Sequence, residues 1–202
     1  QILGVVAKEL APAIDASRHL IISIAAGLRS GDIDRWLGGN KAVVRCMPNT
    51  PAMLQCGATG LFANDRVSTA QREQAETILR AVGLTTWVAD ENLMDAVTAV
   101  SGSGPAYFFL VMEAMQAAGE QLGLDTDSAR LLTLQTALGA ARMAIESSDS
   151  PATLRERVTS PGGTTEQALL SFEKDQLRDI FARALHAAHN RSVELSQLLA
   201  ND

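Results

Sequence analysis

The segment Val158-Thr159-Ser160-Pro161-Gly162-Gly163-Thr164-Thr165 joins hydroxyls and a double glycine to the run Glu166-Gln167-Ala168-Leu169-Leu170. Gly162 and Gly163 let the backbone turn with its amides converging, and Thr164 and Thr165 open a helix whose first amides have no internal partners. Such amides, at the positive end of a helix dipole, hold a carboxylate or phosphate without a lysine. The same residues also make a good loop and helix cap, which is the structural alternative.

Few other groups offer chemistry. His19, His186 and His189 form no cluster with carboxylates at ligand spacing, and the last two share a helix face but lack a third ligand, so no metal is expected. Cys46 and Cys56 stand without a nearby histidine and read as two reduced thiols of a cytoplasmic protein. Tyr107, the single tyrosine, reads as packing with a satisfied hydroxyl rather than as a proton donor. Net charge is −6 with no basic stripe, so nucleic acid is not an expected partner and an anion has to be held locally by amides. Polar residues interrupt the apolar stretches well before the ~20 residues a bilayer span needs, and no signal peptide precedes them, so no membrane contact is expected.

The elements that position these groups are of two kinds. A helix over residues 2–10 precedes Leu20-Ile21-Ile22-Ser23-Ile24, a short apolar run closed by Ala25-Ala26-Gly27, the form of a buried parallel strand leading to a ligand-facing turn. A short helix over 31–37 follows, with Ser30 or Asp32 as cap. Ala42-Val43-Val44-Arg45-Cys46 predicts a strand that Pro48 and Pro51 end, and residues 58–63 predict a third. A helix from Ser68 to about Val82, ended by Gly83, leads to a fourth strand over 85–88. Strands alternating with helices imply an α/β sheet whose ligands sit beyond the strand carboxyl ends.

From about Glu91 the pattern is helical, which places a domain boundary there. Ser103-Gly104-Pro105 offers a cap and a first-turn proline for a helix over 106–115, apolar nearly all round and needing cover on every side. Helices over about 126–147 and 174–199 follow. So small a helical part cannot enclose them by itself, and a partner copy is the natural cover.

Three blocks carry a resemblance. The signature over 158–165 with Ala168-Leu169 and Phe172-Glu173 at set distances, the run Asp95-Ala96-Val97-Thr98-Ala99-Val100-Ser101-Gly102-Ser103-Gly104-Pro105-Ala106-Tyr107, and Cys46-Met47-Pro48-Asn49-Thr50-Pro51 resemble, in the same order, those of the pyrroline-5-carboxylate reductase family. The resemblance implies α/β plus all-α architecture: the second half of a Rossmann-like NAD(P)-binding domain over residues 1–90, then a helical dimerisation and substrate-binding domain over 91–202. It implies a cytoplasmic homodimer, or a higher oligomer of dimers. The implied reaction is hydride transfer from NADPH, or NADH, to the imine carbon of 1-pyrroline-5-carboxylate, giving L-proline in the last step of its synthesis.

On that resemblance, Ser160 and the amides of Gly162, Gly163 and Thr164 hold the substrate carboxylate. The Thr165 hydroxyl bonds the ring nitrogen as its protonation changes, a task for a group that both donates and accepts; the alternative is a helix-start hydroxyl bonding its own backbone. Ala25, Ala26 and Gly27, with the loop of Pro48, Asn49 and Thr50, lie along the nicotinamide and its ribose. Glu91 matches a position near the cofactor, with a helix-cap carboxylate as its alternative. Thr98, Ser101 and Ser103 rank second, and Arg157 is either a cofactor contact or part of a solvated helix face.

Two departures stand out. No G-x-G-x-x-G follows a first strand and the chain opens at Gln1 on a helix, so the pyrophosphate cradle is expected to be missing and this chain alone to be poorly active. Where some relatives have a glutamate ahead of the signature, this chain has Ser147-Ser148-Asp149. Two rivals remain: a related imine or β-hydroxyacid reductase, which needs a catalytic lysine in the helical domain, where Lys174 is the only lysine and lies outside the motif blocks, and a non-catalytic helical dimerisation module with no ligand at Ser160 to Thr165.

Overall fold

A computed structural model describes residues 3–199. Four strands, β1 (Leu20–Ser23), β2 (Ala42–Met47), β3 (Gly57–Ala63) and β4 (Gly83–Trp87), form one sheet in that order. β1 and β2 are parallel, joined through α2 (Ser30–Trp36), and β3 and β4 are parallel, joined through α3 (Thr69–Arg80). Between β2 and β3 the direction reverses, with Val44 opposite Ala63 and Met47 opposite Gly60. Only a short 3-10 turn, Thr50–Leu54, lies between them, and a parallel return takes a dozen or more residues.

The alternation of β2 divides the core. Val43 faces Ala7 of α1 (Leu3–Leu10) together with Leu28, Ile33, Trp36 and Leu37. Val44 and Cys46 face Leu61, Ala75 and Leu79. Val43, Val44 and Leu61 are fully buried, each such side chain contributing about 1.5–3 kcal/mol.

Local chemistry explains the ends of these elements, with two corrections. α3 starts on a capping box, in which the Gln71 amide donates to Ser68 Oγ and the Ser68 amide to Gln71 Oε1. α2 is not capped by Ser30 or Asp32: Arg29 is the N-cap residue and supplies no side-chain bond, while Ser30 is already helical. Gly83 does not end α3, which closes at Arg80 and Ala81; it opens β4 at φ +146°, where a Cβ would overlap the Gly57 carbonyl oxygen.

After β4 the chain is helical: α4 (Leu93–Val97), a π turn (Thr98–Gly102), α5 (Gly104–Gln121), α6 (Thr126–Glu146), α7 (Pro151–Arg157), α8 (Thr164–Lys174) and α9 (Leu177–Leu199). Ser103 is not an N-cap, because its angles (φ −85°, ψ −20°) are helical and the π turn runs on into α5. α7 is an element the periodicity did not predict, although Ser150 caps it by accepting from the Thr153 amide and Pro151 begins it. Two compact units result, one of residues up to Pro105 with those from Ala184 onward, the other Ala106–Arg183. Gly104 is the one buried residue of α5; Phe108, Phe109 and Leu110 are each more than 60% exposed in the single chain. No helix among the described residues is long and apolar enough to cross a membrane.

Gly83→Ala is expected to cost about 3 kcal/mol or more, from backbone strain and overlap together. The measurement is the urea midpoint at unchanged m value. Gly31→Ala, whose Cβ meets nothing within 4 Å, is the control, expected to be neutral or slightly stabilising.

Candidate active site

The signature loop is a tight turn placed at a helix start. The Gly163 amide donates to the Ser160 carbonyl at 3.0 Å, with Pro161 and Gly162 (φ +73°) as the central residues, the pattern of a type II turn. Gly163, extended at φ −83° and ψ 171°, is the N-cap of α8 and gives it no side-chain cap. The first helical bond runs from the Gln167 amide to the Gly163 carbonyl. The amides of Thr164, Thr165 and Glu166 therefore have no intrahelical partner.

Glu166 folds back so that Oε2 accepts from the Gly162 amide at 2.8 Å. Two of the amides expected to hold an anion, those of Gly162 and Gly163, are thus engaged within the loop. The hydroxyls of Ser160 and Thr165 have no hydrogen-bond partner among the described residues, and both side chains are exposed. Thr165 does not bond its own backbone. Ahead of the loop, Arg157 pairs with the Asp149 carboxylate, which also accepts from Ser147 Oγ at 3.2 Å, so Arg157 is not a bare solvated charge.

The other predicted residues lie in the sheet-bearing unit. Ala25, Ala26 and Gly27 form the turn between β1 and α2, with Gly27 at φ +75°, buried against Leu195 and Leu199 of α9. Pro48 follows β2, and Asn49 and Thr50 lead into the 3-10 turn. Asn49 is fixed on both sides: Nδ2 donates to the Ser101 carbonyl at 3.0 Å and Oδ1 accepts from the Ala58 amide at 2.9 Å. Gly102 admits the Met47 side chain, whose methyl lies 2.6 Å from where a Cβ would stand. The two glycine- and proline-rich blocks are therefore packed on each other. Sequence reading singled them out separately and missed this contact.

Glu91 is neither free nor the cap of its own helix. Its carboxylate takes the Ser30 amide at the start of α2 and the buried Arg45 guanidinium of β2. Thr98 Oγ1 and Ser101 Oγ donate to the carbonyls of Met94 and Val97, within their own turns. The Tyr107 hydroxyl, expected to be satisfied, is buried with no hydrogen-bond partner among the described residues. Lys174 ends α8, where its charge complements the helix dipole. No three potential metal ligands gather among the described residues.

The strand–helix order, ligand-type turns beyond β1 and β2 and a following array of apolar helices define a Rossmann-like part joined to a helical dimerisation part. A family model described as pyrroline-5-carboxylate reductase dimerisation matches residues 91–195. The pyrroline-5-carboxylate reductase of Pseudomonas aeruginosa is 56% identical over 98% of this chain and 72% of its own length, and that of Pasteurella multocida is 47% identical over the same shares. A solved pyrroline-5-carboxylate reductase from Coxiella burnetii superposes with a TM-score of 0.93 at 52% identity, covering 96% of this chain and 72% of that one. The Plasmodium falciparum enzyme, solved with NADP bound, superposes at 0.87 with 32% identity over 96% and 76%. The chain belongs to the pyrroline-5-carboxylate reductase family.

Cys46, just ahead of the Met47–Pro51 loop, is buried and its thiol is pushed up to about 12 by burial, whereas Cys56 is exposed. Only the thiolate attacks a disulfide reagent, so burial of Cys46 both withholds its reactive form and blocks access to it. The folded protein is expected to titrate one thiol rapidly and the second only in denaturant. Rapid reaction of both thiols in the folded state would contradict the burial of Cys46.

Proposed function

We propose that this chain reduces 1-pyrroline-5-carboxylate to L-proline with NADPH or NADH, the final step of proline biosynthesis. The observation that carries the reading is the signature turn, which places the unpartnered hydroxyls of Ser160 and Thr165 beside free first-turn amides of α8. The family relationship supports it, and the NADP-bound Plasmodium falciparum relative supports the cofactor. Residues 1–90 take the cofactor part in this reading and 91–202 the substrate and dimerisation part.

The nicotinamide cofactor supplies the hydride. The chain must grip the carboxylate, place the imine and govern the proton on nitrogen. Ser160 donates its hydroxyl to the substrate carboxylate, and the amide of Thr164 completes the grip. Gly162 and Gly163 contribute the turn that aims these groups; their own amides join only once Glu166 and the Ser160 carbonyl release them. The Thr165 hydroxyl bonds the ring nitrogen, donating to it or accepting from it as it gains its proton. Ala25, Ala26 and Gly27 and the Pro48-Asn49-Thr50 loop offer the close, small-sided approach a flat nicotinamide ring needs.

The rival reductase that depends on a lysine is disfavoured by the position of Lys174 at the far end of α8 from the signature turn. The apolar surface of α5 supports a homodimer, or a higher oligomer of dimers, as the working form. Two unpaired cysteines support a cytoplasmic location.

Thr165→Val keeps the shape and removes the hydroxyl, so kcat is expected to fall about 10²-fold or more if it takes part in proton transfer, and about tenfold if it only positions the ring. Ser160→Ala is expected to raise KM for the imine instead, since a ground-state carboxylate contact is lost. Both constants staying within about twofold in a folded Thr165→Val protein would return Thr165 to a purely structural role.

Sedimentation at micromolar concentration is expected to show a dimer or a larger species. A well-folded monomer there would defeat the oligomer reading.

A further inference from the structure

One carboxylate stands between the two segments assigned above to the nicotinamide side, and the protein engages both of its oxygens. Glu91 Oε1 accepts from the Ser30 amide at 2.6 Å and from Arg45 Nη1 at 2.8 Å, while Oε2 accepts from Ser30 Oγ at 3.0 Å. Ser30 and Arg45 are 5% and 7% exposed. Ser30 lies three residues after the Ala25-Ala26-Gly27 turn, and Arg45 is the last buried charge before the Met47–Pro51 loop. Both segments have further supports, Gly27 against α9 and Asn49 by Ser101 and Ala58. Beside the β1–β2 pairing of Ser23 with Arg45, Glu91 is a side chain that bonds the flanks of both, at Ser30 and at Arg45.

A residue that ligates a cofactor presents an atom to it. Glu91 instead directs its charge inward, into three hydrogen bonds to two buried residues, one of them cationic. We propose that Glu91 is a positioning residue for the cofactor: through Ser30 and Arg45 it fixes the separation of the Ala25–Gly27 turn and the Met47–Pro51 loop, without touching the cofactor. The inference rests on the cofactor reading of those two segments. Its consequence is kinetic as well as structural, because a misplacement of about 1 Å in a hydride donor costs on the order of 10²-fold in rate.

The test uses the active enzyme as wild type, Glu91→Gln, Arg45→Gln and the double variant, with NADPH affinity from direct titration, KM for each substrate, and thermal melting. Glu91→Gln is expected to weaken NADPH binding about tenfold or more while leaving KM for pyrroline-5-carboxylate within about twofold. The double variant is expected to bind NADPH no more than about twofold worse than the weaker single, since both singles break one link. An NADPH affinity within twofold of wild type in a folded Glu91→Gln protein overturns the proposal. So does an equal rise of both KM values, which marks general loosening, and so do additive losses in the double variant, which mark direct contact. If Glu91→Gln does not fold, Ser30→Ala removes only the Oε2 partner, with about a threefold loss of NADPH affinity expected and no change overturning the idea. A wild type that binds no NADPH overturns the cofactor reading itself and this inference with it.

Discussion

Arg45 projects from the central strand pair into a region where water is scarce, and the Glu91 carboxylate makes that placement tolerable. Burying a guanidinium is unfavourable by several kcal/mol unless an anion meets it at close range with its remaining lone pairs satisfied. Here Ser30 satisfies them from its amide and its hydroxyl. The same contact answers a second need, since the Ser30 amide is one of the orphan donors at the start of α2 and a negative charge there is favourable. Removing Glu91 leaves the buried Arg45 charge unpaired, which in such settings costs about 3–5 kcal/mol. One turn on, Asp95 is also buried and accepts from Ser192 Oγ at 2.6 Å, tying α4 to α9. Two carboxylates on one short stretch thus hold the sheet, α2 and the last helix in register.

Where carboxylates supply attraction, glycines set the distance. A Cβ on Gly60 would lie within 2.5 Å of a Val97 methyl, and one on Gly102 would collide with Met47. The π turn shifts the register of the helix at this point, with the Ser103 amide reaching the Thr98 carbonyl at 2.8 Å. Small residues on both sides let it settle on β3 and the Met47–Pro51 loop. Such bulges recur at functional sites because they re-aim a segment without ending its helix.

What the sequence revealed follows the range of the interactions. Local patterns marked all four strands, β3 and β4 with starts at 58 and 85 rather than 57 and 83, and Ser68 marked the start of α3, because period and capping act within a few residues. The Gly162-Gly163 pair marked the turn for the same reason, although its centre falls on Pro161 and Gly162. The reversal at β3 was less visible, since it depends on counting the residues available between Met47 and Gly57. Glu91 was read as a residue near the cofactor or a helix-cap carboxylate; it does meet the first amide of a helix, but nothing near it in sequence announces that this is α2 or that its partners lie 46 and 61 residues away. The loop amides were misjudged on a finer scale: Glu166 is close enough to compete for Gly162, a local contact that a motif match passes over. Ser103 failed as a cap because the helix before it does not stop.

The helices beyond the sheet pose the opposite problem, too little burial rather than too much charge. In α5 only Gly104 is buried, and in α6 only Ala129 and Thr133. Gly119 is a point of close approach between these helices, its Cβ position 3.4 Å from that of Ala129. Phe108 and Phe109 remain about two-thirds exposed in the single chain. At about 1.5–3 kcal/mol for a fully buried side chain of this kind, covering the exposed part of both contributes on the order of 2–4 kcal/mol per protomer before the entropy of association is set against it. That is a sizeable share of the marginal stability of a domain. Homo-oligomerisation that covers this surface adds to the stability of the helical region, which then depends on protomer concentration as well as on the contacts within the chain.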